Sequence, residues 1–230
     1  MTWLTPYLAL SVLPVAFLFG YSFNPVEFTW AYRHGHQSMP EEVRERAATL
    51  RRYASFLGDG LILGLIAVLA RKNGISSAGI GLGLDNLGVN SAVGLAAGLG
   101  LVLVQALVAK FLSVDPKHPF TFSVRKGPAS AWILIFALSS FSEELWVAFS
   151  LVTLRQTGHS FYVAAAITAS IIGLVHYGYG FGGAVASAAK GAISAALFWH
   201  YGSVLLTFVY HFIGNLGSFY WNRFGGTEQS

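Results

Sequence analysis

Residues 129–154 read "ASAWILIFALSSFSEELWVAFSLVTL". The run is long enough to cross a bilayer as a helix, which takes about 20 apolar residues. Its only charges are two adjacent acids, Glu143 and Glu144, in the middle. Glu143 lies about 14 residues into the run, roughly 21 Å along the axis at helical rise. An ionisable side chain at that depth is costly and by default marks a functional site. Neighbouring residues on a helix point about 100° apart, so one acid can face a cavity while the other turns to a neighbouring helix.

The surrounding composition fits a membrane setting. The 230-residue chain is 54% hydrophobic and 15% aromatic, with 10% charged residues and a mean hydropathy of +0.58. Soluble domains carry about 25% charged residues, and the deficit excludes an ordinary globular core protein. Seven hydrophobic segments, at about 3–22, 54–70, 86–113, 129–154, 160–178, 182–199 and 203–221, predict an all-α polytopic membrane helical bundle of about seven transmembrane helices. A further piece near 74–84, spanning or re-entrant, would make eight. The first segment lacks a basic leader and a small-residue cleavage site, and reads as a retained helix.

The 26 glycines suit close helix packing. Gly60 with Gly64, and Gly94 with Gly98, have GxxxG spacing, a weak signal where glycine is this common. There is no cysteine, which excludes disulfides and thiolate metal sites. The net charge of +4 and pI near 9.4 reflect orientation bias in the loops and not nucleic-acid binding. Lys and Arg concentrate in the loop after segment 1 (Arg33, Arg44, Arg46, Arg51, Arg52), around the loop after segment 3 (Lys110, Lys117, Arg125, Lys126) and in the tail (Arg223), against Arg71, Lys72 and Arg155 on the other side. This predicts an N-terminus outside and a C-terminus in the cytoplasm of a prokaryotic plasma membrane. In the first loop, "SMPEEVRERAATLRRYA" (38–54) carries a capping-box pattern at Ser38 and Glu41, with Pro40 suited to a first turn, and predicts a charged helix on the membrane surface.

The other polar residues within segments are few: Asp59, His176, Lys190, His211 and the neutral Asn215. Asp59 and His176 lie near predicted segment ends, where polarity is cheaper, and Asp59 reads as structural. His211 and Asn215, in "HFIGN", are spaced i and i+4 and share a helix face. A lone membrane histidine is more often a helix–helix hydrogen-bond donor than a catalyst. A carboxylate and two imidazoles on three separate segments, with an amide beside them, are harder to explain structurally. Together they supply a base, proton carriers and hydrogen-bond donors, the set needed to activate water against a carbonyl.

Three motifs carry a family resemblance: "EELWVA" with Glu143 and Glu144, "IGLVH" ending in His176, and "HFIGN" with His211 and Asn215. In order and spacing they resemble the EExxxR, FxxxH and HxxxN signatures of the CPBP family, the CAAX proteases and bacteriocin-processing enzymes. "GAISAALFWHYGSVLLTFVYHFIGN" is also similar to the family's approach to its last motif, with a glycine–serine turn before the final helix. The resemblance covers roughly residues 85–220. It implies N-terminal helices and a cytoplasmic amphipathic connector at 1–84, followed by a catalytic helical core at 85–221.

By that resemblance the chain is an intramembrane endopeptidase acting on peptide or protein substrates in or at the bilayer, prenylated ones included. Glu143 helped by His176 would activate a water, His211 and Asn215 would stabilise the oxyanion, and Glu144 would hold the site together. Two positions depart from the pattern: Ile172 stands for the phenylalanine, and Ala148 for the arginine. The second removes a cation and leaves Glu144 without an obvious partner. Either Lys190 approaches it, or Glu144 is a neutral, hydrogen-bonded acid; the glycine and alanine neighbours of Lys190 suggest tight helix packing and favour the neutral form, with activity expected to survive Lys190→Met. Lys190 itself reads equally as a lysine snorkelling to the interface.

No cofactor is expected. Without an HExxH to fix ligands on one helical face, zinc held by Glu143, His176 and His211 is the lesser alternative. Two other functions fit the same residues less well: a catalytically impaired scaffold or regulator that kept the fold, which Ala148 favours, and a proton-coupled transporter, which inverted repeats would favour and the sequence does not show.

Overall fold

The computed structural model describes residues 5–17, 33, 40–112, 129–177 and 180–224. Among them there are seven α-helices and no strand. In chain order these are α1 (Thr5–Phe17), α2 (Glu41–Lys72), α3 (Leu87–Leu112), α4 (Ala129–Gln156), α5 (Phe161–Val175), α6 (Gly180–Tyr201) and α7 (Val204–Phe224). Each predicted segment overlaps one of them over its described residues. By length and hydropathy, the spans at 53–72, 87–107, 129–156 and 181–201 are sufficient to cross a membrane, and 161–175 and 204–220 are shorter apolar helices. The protein is an integral membrane helical bundle. The stretch near 74–84 is a connector with a single 3-10 turn at Ala78–Ile80, not an eighth span.

The charged stretch after the first loop is not a separate surface helix. It forms the first turns of α2, which runs unbroken for 32 residues. Neither glycine nor proline interrupts 41–57, so the change from charged to apolar residues alters the environment without breaking the helix. Ser38 lies outside the described residues. The N-cap is Pro40, with no side-chain cap bond. Glu41 and Glu42 in the first turn, and Arg71 and Lys72 in the last, complement the helix dipole. The helix ends in a Schellman motif: Gly74 takes φ +66°, its N–H bonds Arg71 O at 3.3 Å, and Ile75 N–H bonds Ala70 O at 2.9 Å.

At the centre of the bundle is α4, which packs against α1, α2, α5, α6 and α7. It is 72% buried by protein, against 17–33% for the other long spans. Its small residues let neighbours approach: Ser139, Ser140, Ser142, Ala148, Ser150 and Thr153 are all buried. Specific bonds then fix its rotation. The Trp146 indole N–H donates to Ala9 O of α1 at 2.7 Å, and Ser142 Oγ donates to Asp59 of α2 at 2.6 Å. Since α2 begins at Glu41, Asp59 sits well inside the helix and is buried, not at an end where polarity is cheap.

Two caps position the last helices. Ser160 Oγ accepts from Val163 N–H at 3.3 Å to start α5, and Ser203 Oγ accepts from Leu206 N–H at 3.3 Å to start α7. The turn before α7 is the glycine–serine pair Gly202–Ser203, with Gly202 at φ +64°. Val204 N–H also bonds Gly81 O at 2.9 Å, tying the 3-10 connector to the head of α7.

Only one of the two GxxxG pairs is used for packing. A Cβ on Gly94 would lie 2.5 Å from Leu206 O, and one on Gly98 would lie 2.7 Å from Ile213 Cβ, so α3 lies flush against α7 there. Gly60 and Gly64 have nothing within 4 Å. Gly98→Ala should therefore destabilise the bundle by about 1–3 kcal/mol through overpacking. Gly64→Ala should be neutral or stabilise by up to about 1 kcal/mol through lower unfolded-chain entropy. Thermal unfolding of both variants in the same detergent tests the contrast, and equal effects would contradict it.

Candidate active site

Four helices bring polar side chains to one level of the bundle. From α4 come Glu143 and Glu144, both buried. Glu144 Oε1 accepts from Ser194 Oγ of α6 at 2.8 Å and from His211 Nδ1 of α7 at 2.7 Å. The other ring nitrogen of His211, Nε2, lies 2.7 Å from Lys190 Nζ of α6. Glu143 faces the space between the two imidazoles: its Oε1 is 4.0 Å from His176 Nε2 and its Oε2 is 3.9 Å from His211 Nε2. The Oε2 atoms of Glu143 and Glu144 are buried without a hydrogen-bond partner among the described residues.

His176 is placed by the end of α5, where it is the C-cap. Its ring turns back so that Nδ1 lies 2.8 Å from Ile172 O. A carbonyl only accepts, so Nδ1 carries the hydrogen, and in the neutral ring Nε2 presents its lone pair toward Glu143. Ile172, at the position of the motif phenylalanine, thus acts on His176 through its backbone and packs in the main apolar cluster through its side chain.

Asn215 lies one turn beyond His211. Its Nδ2 donates to Ser140 Oγ of α4 at 3.0 Å, one turn before the acids. The pairs Ser140–Asn215 and Glu144–His211 run in opposite chain directions, so α4 and α7 are antiparallel. Phe136 and Phe219 extend the same ladder, with ring centroids 5.8 Å apart.

Of the residues singled out from the sequence, the structure brings Glu143, Glu144, His176 and His211 together and holds Asn215 on Ser140 beside them. Asp59 lies toward α2 on Ser142. Lys190 does not snorkel: its Nζ points into the site, 2.7 Å from His211 Nε2. Ala148 is fully buried in the main apolar cluster, so the cation nearest Glu144 among the described residues comes from α6 and not from its own helix. Sequence reasoning missed Ser140 and Ser194. Ser194 is one turn from Lys190 on α6, a KxxxS spacing that would have pointed to it; serine in a membrane helix otherwise carries little signal.

Residues 125–217 match the family described as Rce1-like, type II CAAX prenyl endopeptidase Rce1-like. Over that stretch the chain is similar to this family of CAAX proteases, in line with the motifs on α4, α5 and α7. The matched stretch holds every residue of the site just described and leaves α1–α3 outside. No curated protein and no solved structure matches the chain. The match supports a CAAX-type protease reading of the helical core and makes the acid pair on α4 and the imidazoles on α5 and α7 the residues to test.

Proposed function

We propose that the chain hydrolyses peptide bonds of membrane-associated substrates, prenylated C-termini among them, with Glu143 as general base. The observation that carries this reading is the placement of the Glu143 carboxylate between two imidazoles, at 4.0 and 3.9 Å. These separations are too long for direct hydrogen bonds and suit one water touching both partners. Glu143 takes a proton from that water while His176 Nε2 orients it. The water oxygen adds to the scissile carbonyl. Collapse of the tetrahedral intermediate breaks the C–N bond, and Glu143 returns the proton to the leaving amine.

The resemblance gives the oxyanion to His211 and Asn215. Asn215 keeps a second amide N–H beyond the one given to Ser140. Asn215→Ala should lower kcat about tenfold to a hundredfold, within the range for a single transition-state donor or its support. An unchanged kcat would remove it from the mechanism. The reading uses no metal. His211 Nε2 faces Lys190 Nζ at 2.7 Å, a poor neighbour for a zinc ion.

The loop charges support an N-terminus outside and a C-terminus inside. Asn215 then lies nearer the cytoplasm than His211, and substrate enters from that leaflet. Purified protein in liposomes, offered membrane-anchored peptides with and without a prenylated C-terminal cysteine, tests the function by mass spectrometry of the products. Cleavage of at least one peptide is expected. A scaffold or a carrier would cleave none.

A further inference from the structure

We propose that Lys190, beside Asn215 and in place of the His211 that the resemblance assigns, is a donor that stabilises the oxyanion, with His211 and Glu144 as the residues that position it. The inference rests on the proteolytic reading and adds to it a catalytic group from α6, outside the three motifs.

The direction of each hydrogen bond fixes the roles. An ammonium donates and never accepts. With Lys190 in its protonated form, which the proposal requires, Nζ at 2.7 Å makes His211 Nε2 an acceptor. The ring hydrogen then sits on Nδ1, where it donates to Glu144 Oε1 at 2.7 Å. Ser194 Oγ donates to the same oxygen at 2.8 Å. Both ring nitrogens of His211 are thus engaged, and in this arrangement it has no N–H to offer a substrate.

Lys190 differs. One of its three N–H bonds goes to His211, and the other two have no protein acceptor among the described residues. Lys190 Nζ and the Glu143 carboxylate both face His211 Nε2, at 2.7 Å and 3.9 Å. A positive donor is thereby held beside the base, where negative charge develops on the carbonyl oxygen as water adds. It keeps its own proton throughout and releases the oxygen when the C=O bond re-forms. Such a group is pre-oriented, because Glu144 and Ser194 fix the His211 ring that anchors it.

The absence of cysteine from the chain gives a single-site test. In Lys190→Cys, kcat on a cleaved peptide should fall by about 10²–10³, the cost of one oxyanion donor, with KM little changed. Alkylation with 2-bromoethylamine, confirmed as one adduct by mass, rebuilds an ammonium at nearly the lysine position and should restore kcat at least tenfold. Alkylation with iodoacetamide, which adds no charge, should not. A Cys variant as active as the parent, or one that aminoethylation leaves unimproved, would overturn the proposal. Lys190→Arg keeps a cationic donor and covers the case in which the Cys variant does not fold. It should be at least tenfold more active than Lys190→Met, and a folded Arg variant no better than the Met variant would overturn it. A parent protein that cleaves nothing would sink the proteolytic reading itself and the proposal with it. Loss confined to the role of Lys190 would leave parent cleavage and Glu143 dependence intact.

Discussion

Glu143→Gln is expected to abolish peptide cleavage, by about 10³-fold or more, while leaving the bundle as stable as the parent. The amide matches the carboxylate in shape but cannot take a proton from water, and general-base contributions run to about 10²–10⁴. Stability should be spared because Glu143 makes no direct hydrogen bond among the described residues: His176 and His211 stand at 4.0 and 3.9 Å. Replacing it breaks no bond between helices. Rate and unfolding temperature measured on one preparation would show activity gone and stability kept. A variant within tenfold of the parent rate would remove Glu143 from the chemistry.

Glu144→Ala should do the reverse in emphasis, unfolding the site before silencing it. The change leaves the His211 Nδ1–H and the Ser194 hydroxyl buried without their shared acceptor. Breaking a buried, hydrogen-bonded pair in this way costs about 3–5 kcal/mol. The His211 ring then loses its orientation and Lys190 loses its anchor, so cleavage falls as well. Glu144→Gln should lie between, since its amide oxygen still accepts while its charge is gone. Comparing unfolding of Glu144→Ala and Glu143→Gln separates the adjacent acids. Equal stability losses would contradict the division of labour.

The architecture was largely legible in the sequence because apolar runs long enough for a bilayer have few alternatives to helix. The site was legible for the same reason: charge within such runs is scarce, so Glu143, His176 and His211 stood out. What failed to show was whatever depends on helix rotation and on partners distant in sequence. The two GxxxG pairs look alike, and only Gly94 and Gly98 meet a neighbouring helix. The charged turns at the start of α2 looked like a separate element because polarity changes there, yet no glycine or proline interrupts 41–57 and the helix continues. Lys190 could equally have reached the interface; its direction is set by His211, which lies on another helix. Asp59 looked terminal and is internal, bonded to Ser142 across the packing of α2 on α4.

In the proposed mechanism one buried site, built by Glu143 between His176 and His211, delivers water to a peptide carbonyl. Its most direct test is cleavage by the purified protein in ¹⁸O-labelled water, in the presence of a strong chelator, with Glu143→Gln alongside. The expected result is product whose new carboxylate carries ¹⁸O, formed at the same rate with and without chelator, and none from the Gln variant. No product from the parent, or cleavage that Glu143→Gln retains, or activity lost to the chelator and restored by zinc, would contradict it.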